Sequence, residues 1–222
     1  LFRNLGWERF GGWGLFSIAI SYAMVALVLL HYFYGRLRLP IPAGIMAALV
    51  VALTPLAIYG LQNALGFWPH DELTDMAYRD YHRWIDWRWM LMELATLVVG
   101  VVMLWRYRLP FSVMPIAVTL WYMSMDLAPF LFGGAFGEVS WALREQVSMW
   151  FGLAMLILAV YVDFRGREAF IRGKDFAFWL YLFGVLAFWG GLSSMDSDSE
   201  FNKFIYLCIN LFMIVIGATL MR

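Results

Sequence analysis

Apolar residues in this chain do not recur with the period of a half-exposed helix or strand; they run on. Seven stretches, at about 13–34, 40–65, 87–105, 110–133, 141–162, 176–193 and 201–221, are almost continuously apolar. A helix rises about 1.5 Å per residue, so about 20 apolar residues cross a hydrocarbon core roughly 30 Å thick. The pattern predicts an all-α membrane protein, a bundle of seven transmembrane helices forming one domain over 1–222. Between spans 2 and 3 the pattern changes. Leu73, Met76, Tyr81, Trp84 and Ile85 recur near helical spacing, with acids and arginines between them. That predicts an amphipathic helix at about 71–86 lying in the interface, its aromatic rings at headgroup depth. Pro40 and Pro42 suit a first helical turn, and Pro55 predicts a kink inside span 2.

The loops set the orientation. Arg36, Arg38, Arg106, Arg108, Arg165, Arg167, Arg172, Lys174 and Arg222 fall on one side, nine of the 16 Lys/Arg, and most lie in short loops. The other side has seven, among Glu8, Asp71, Glu72, Asp75, Asp80, Asp86, Glu138, Asp196, Asp198 and Glu200. Basic short loops stay cytoplasmic, so the N-terminus is placed outside and the C-terminus in the cytoplasm. Two turns share the pattern R-x-R-L-P, Arg36 to Pro40 and Arg106 to Pro110, 70 residues apart. They read either as a repeat of parallel helical hairpins or as convergence on a turn that wants arginines before a helix-starting proline.

Composition narrows the class further. Hydrophobic residues make up 63% of the 222 residues, against about 45–50% in soluble domains. The formal net charge is zero, and nothing points to nucleic acid. The single cysteine, Cys208, excludes an internal disulfide and a Cys-based metal site. A chain running from Leu1 to Arg222 reads as a piece of a longer one.

Two apolar runs carry one interior carboxylate each, Glu93 in span 3 and Asp126 in span 4. An ionisable residue inside a span is costly and marks a functional hypothesis. Counting the helical rise, both lie about 9–12 Å below the outer surface on adjacent antiparallel spans. Glu93 shares a face with Thr96 and Gly100; Asp126 shares one with Tyr122 and Thr119. Arg144, Glu145 and Ser148 open span 5, and Tyr206 and Asn210 line one face of span 7 with Lys203. The inner half offers little beyond His31, so polarity is expected on the outer side. Gly184, Gly190 and Gly191 in span 6, and Gly14 in span 1, suit close helix packing.

The candidate site is therefore an outward-facing pocket of Glu93, Asp126, Tyr122, Arg144, Glu145, Tyr206 and Asn210. Two neighbouring carboxyls can share one proton, bind a small cation or couple proton movement to transport. The same acids can instead pair with Arg144, or accept bonds from Tyr122, Tyr206 or Asn210, and pin the bundle. His31, His70 and His82 are not at depths that would clamp a haem, and their spacing fits no standard metal site. No catalytic set, metal or cofactor is expected.

Familiar seven-span families fail at their key residues. A retinal lysine would lie deep in span 7, whereas Lys203 lies at its outer end. The segments Asp175-Phe-Ala-Phe-Trp-Leu-Tyr-Leu-Phe-Gly184, Phe188-Trp-Gly-Gly-Leu192 and Leu120-Trp-Tyr-Met-Ser-Met-Asp126 resemble bacterial polytopic inner-membrane proteins of unassigned activity. The resemblance implies a multi-pass protein of a bacterial inner membrane and transfers no catalytic residue. Three function classes stay open. One binds, senses or moves a small cationic solute or proton. One is a non-catalytic accessory subunit packed against other membrane proteins in the lipid bilayer. The third is an enzyme acting on lipid or quinone at the outer leaflet.

Overall fold

The computed structural model describes residues 11–68, 87–131, 141–168, 175–194 and 200–220. Seven α-helices follow in chain order among the described residues: α1 (Gly11–His31), α2 (Pro40–Ala64), α3 (Trp87–Tyr107), α4 (Val113–Leu131), α5 (Trp141–Glu168), α6 (Ala177–Ser194) and α7 (Glu200–Leu220). One π-helical stretch, Tyr32–Leu37, extends α1, and one 3-10 turn, Pro110–Ser112, precedes α4. Among the described residues there is no strand. The interfacial helix expected at 71–86 lies outside them, as do His70 and His82.

The segments Gly11–Leu37, Pro40–Ala64, Arg88–Tyr107, Leu143–Gly166 and Ala177–Ser194 are long and apolar enough to cross a membrane. The protein is thus an all-helical membrane protein with five such segments among the described residues. In α7 the apolar stretch is the shorter Tyr206–Val215. Helix α5 runs to Glu168, past the expected end of span 5 at 162, so Arg165 and Arg167 are helical and not in a loop. Helix α2 continues through Pro55.

The helix ends follow from local chemistry. The residue before a proline is pushed out of the α region. Leu39 (φ −96°, ψ 99°) and Leu109 (φ −102°, ψ 128°) are both extended, and Pro40 and Pro110 then open the next helical segment. Before each leucine an arginine adopts a left-handed backbone, with φ 54° at Arg38 and 51° at Arg108. That conformation costs roughly 1–2 kcal/mol for a residue with a Cβ. It closes the preceding helix: the Arg108 amide donates to the Leu104 carbonyl at 2.9 Å, and the Leu39 amide to the Phe33 carbonyl at 3.0 Å.

Packing is closest within two antiparallel hairpins, α1–α2 and α5–α6, with α3 and α4 between them. Lipid tails are as apolar as leucine, so helices associate through close backbone approach and not through hydrophobic burial. Glycine supplies that approach. A Cβ on Gly12 would strike the Ala64 backbone, and one on Gly60 would lie 2.6 Å from the Phe16 amide nitrogen. A Cβ on Gly152 would strike the Phe188 backbone amide, and one on Gly191 would lie 2.6 Å from the Glu145 carbonyl and the Met149 amide nitrogen. Gly184 faces Leu156, whereas Gly190 faces open space. Of the span 6 glycines, two therefore pack and Gly190 does not. Gly100 admits Ile116 of α4 and Val51 of α2. Ala26, Leu30, Ala43, Ala47, Val50, Val51, Met103 and Leu109 form a buried cluster joining α1, α2 and α3.

Gly152→Ala is expected to lower the melting temperature of the detergent-purified protein through overpacking of about 1–3 kcal/mol. Gly190→Ala, in open space, is expected to leave it unchanged or raise it slightly.

Candidate functional site

The stripe Glu93, Thr96, Gly100, Met103 winds along α3 at helical spacing, and Met92 lies beside it. Of these side chains Met92, Glu93, Thr96 and Met103 are buried. The stripe turns inward because Gly100 lets α2 and α4 approach it closely. The Thr96 hydroxyl donates to the Met92 carbonyl at 2.6 Å, which satisfies it within α3.

Glu93 and Asp126 are each only 8% exposed, and their side chains are hydrogen-bonded to each other. An ionised carboxylate only accepts hydrogen bonds, so a bond between two carboxyls requires a proton on one of them. Glu93 Oε2 is buried and has no hydrogen-bond partner among the described residues. The arrangement is a buried carboxyl pair with an acceptor position left over. Chemically it can hold a proton, exchange it, or accept a small cation in its place.

Helix α4 is positioned by one serine. The Trp121 indole N–H donates to Ser148 Oγ at 2.8 Å, and the Ser148 hydroxyl donates to the Ala187 carbonyl at 3.0 Å. These two bonds tie α4 to α5 and α6 just over one turn below Asp126. Helix α3 is positioned at its start by Gln62, only 2% exposed at the end of α2. Its amide donates to the Arg88 carbonyl at 3.1 Å and accepts the Trp68 indole N–H at 3.1 Å. Trp68 is buried and ringed by Tyr59 (5.2 Å), Trp89 (6.3 Å) and the Arg88 guanidinium (5.6 Å). The clamp joins the end of α2 to the start of α3, and the apolar pattern of the two spans does not signal it.

Among the other expected site residues, Tyr122, Tyr206 and Asn210 make their described contacts elsewhere. Tyr122 is 47% exposed, its ring beside Trp121 at 5.9 Å. Arg144 and Glu145 are half-buried in the first turns of α5. Tyr206 pairs with Ser193 of α6 at 3.1 Å. The Ser193 proton goes to the Trp189 carbonyl, so the tyrosine hydroxyl is the donor between them. The Asn210 amide donates to the Tyr206 carbonyl at 2.9 Å. Tyr206 thus belongs to the contact between α6 and α7, Asn210 is satisfied within α7, and α7 lies outside the closely packed helix pairs.

The opposite end of the bundle is less plain than its sequence implies. Asp163 of α5 is buried, as is Ser112, whose hydroxyl has no hydrogen-bond partner among the described residues. Asp163 falls one residue beyond the expected end of span 5, where an acid reads as an ordinary loop residue, but α5 continues through it to Glu168. His31 is exposed. Among the described residues no three of His, Cys, Asp and Glu gather as metal ligands. Comparison with protein-family models, curated proteins and solved structures gave no significant match.

Gln62→Leu removes the acceptor that Gln62 offers the Trp68 indole. A loss of about 1–3 kcal/mol in stability is expected, with a red shift in tryptophan fluorescence as the ring becomes wetter. Asn63→Leu, beside it, is expected to change neither.

Proposed function

We propose that the protein is a non-enzymatic multi-pass membrane protein that binds and releases a proton or small cation at Glu93 and Asp126. The observation that carries this reading is the buried carboxyl–carboxyl hydrogen bond with Glu93 Oε2 left unpartnered. A pair of acids bonded to each other depends on a proton for its stability. In this reading the chain crosses a bacterial inner membrane seven times, with the N-terminus outside and the pair opening to that side. The clustering of arginines in the two R-x-R-L-P turns, at the end away from the pair, supports that orientation.

A second reading has one specific observation behind it. Helix α7 is tied to α6 through Tyr206 and leaves Leu207, Leu211, Phe212, Ile214 and Val215 exposed. An accessory subunit would present such a helix to another membrane protein. Site-specific crosslinking from Phe212 in native membranes, giving a discrete heteromeric product, would favour that reading.

The pair makes stability depend on pH. The carboxyl–carboxyl bond exists only while its proton is held, so raising the pH through the titration of the pair removes it. The melting temperature is expected to fall over that range by the equivalent of about 1–3 kcal/mol, and sodium or potassium should restore part of it. Glu93→Gln keeps a donor that does not titrate and should flatten the profile. Proton uptake by the protein in liposomes, read with a pH dye, should be lost in both Glu93→Gln and Asp126→Asn. If both variants merely lower stability equally at every pH, with proton uptake intact, the acids are glue and the proposal fails.

A further inference from the structure

The two R-x-R-L-P turns fold alike and lie side by side. In each, the second arginine is left-handed, the leucine is extended and the proline opens the next helical segment. The Tyr34 ring meets the Tyr107 ring edge-on at 5.5 Å, joining one turn to the other. Phe33 and Tyr107 both pack on the buried cluster that contains Leu109, so the two turns share one base. Four exposed arginines, Arg36, Arg38, Arg106 and Arg108, are thereby gathered at one end of the bundle. The Arg106 guanidinium lies over the Tyr107 ring at 5.3 Å. Neither turn contains an acid, and with Arg108 already engaged within the protein, Arg36, Arg38 and Arg106 are the guanidinium groups offered to a ligand.

We propose that the paired turns bind the headgroup of an anionic phospholipid. Guanidinium groups match phosphate oxygens in geometry as well as charge. A lipid is favoured over free phosphate by what surrounds the arginines. Leu37, Leu39 and Ile41 are exposed beside the first turn, and Trp105, 75% exposed, precedes the second. With Tyr32 and Tyr34 they form the apolar and aromatic collar found at headgroup depth, which an acyl chain can follow and an inorganic ion cannot. Setting the orientation of the chain needs arginines in each turn. It does not need the turns to touch or to share one strained backbone.

The full chain is assembled in phosphatidylcholine nanodiscs with and without phosphatidylglycerol, and bound lipid is counted by native mass spectrometry. Preferential retention of phosphatidylglycerol is expected. Each arginine near a charged surface contributes about fivefold in binding. Arg36→Gln with Arg38→Gln should therefore weaken the preference about thirtyfold, and Arg106→Gln alone about fivefold. Tyr34→Leu keeps every charge and should still weaken it, because it uncouples the turns. Competition by inorganic phosphate as strong as by the lipid would overturn the lipid assignment. Equal retention of phosphatidylcholine would overturn the site. If the arginine variants fail to fold, an undiminished preference in Tyr34→Leu does the same.

Discussion

A carboxyl group in a hydrocarbon layer must find a polar partner, and in this bundle two carboxyls find each other. Glu93 enters on α3 and Asp126 on α4, and their mutual bond is possible only because the two helices approach closely in this layer. The rest of the packing secures that approach. Gly100 lets α3 sit against Ile116 and Val51, Gln62 fixes the start of α3, and Ser148 fixes the wall behind α4. Within this acid layer the Oε2 of Glu93 is left as a buried acceptor without a hydrogen-bond partner among the described residues.

The helix contacts invert the pattern of a soluble core. Alanine and glycine lie at the interfaces, while Leu27, Val28, Val101, Val102, Trp150 and Ile157 point outward. Burial in lipid gains nothing for a large apolar side chain, so the interior is given to residues that permit backbone contact. The two tight hairpins show this most clearly, with Gly60 set against the Phe16 backbone and Gly152 against that of Phe188.

Long apolar runs made the helical class and the helix positions legible, because length against bilayer thickness is a strong constraint. The meeting of Glu93 and Asp126 was legible for a related reason, since the cost of each acid and the helical rise put both at one depth. Tyr122, Tyr206 and Asn210 were harder to place. A shared face on one helix does not say which neighbour that face meets, and α7 turned its Tyr206 to Ser193. The Trp68 clamp was missed because an indole just beyond a span reads as an ordinary belt residue. Its burial comes from the fold of Gly66 (φ 74°), which a one-dimensional pattern does not display.

Ser148 has a mechanical consequence. Its single hydroxyl is acceptor for one helix and donor to another, so α4, α5 and α6 are fastened at one joint. Turning α4 would pull the Trp121 indole away from a hydroxyl whose proton α6 already orients, so α4 is held through α5 to α6.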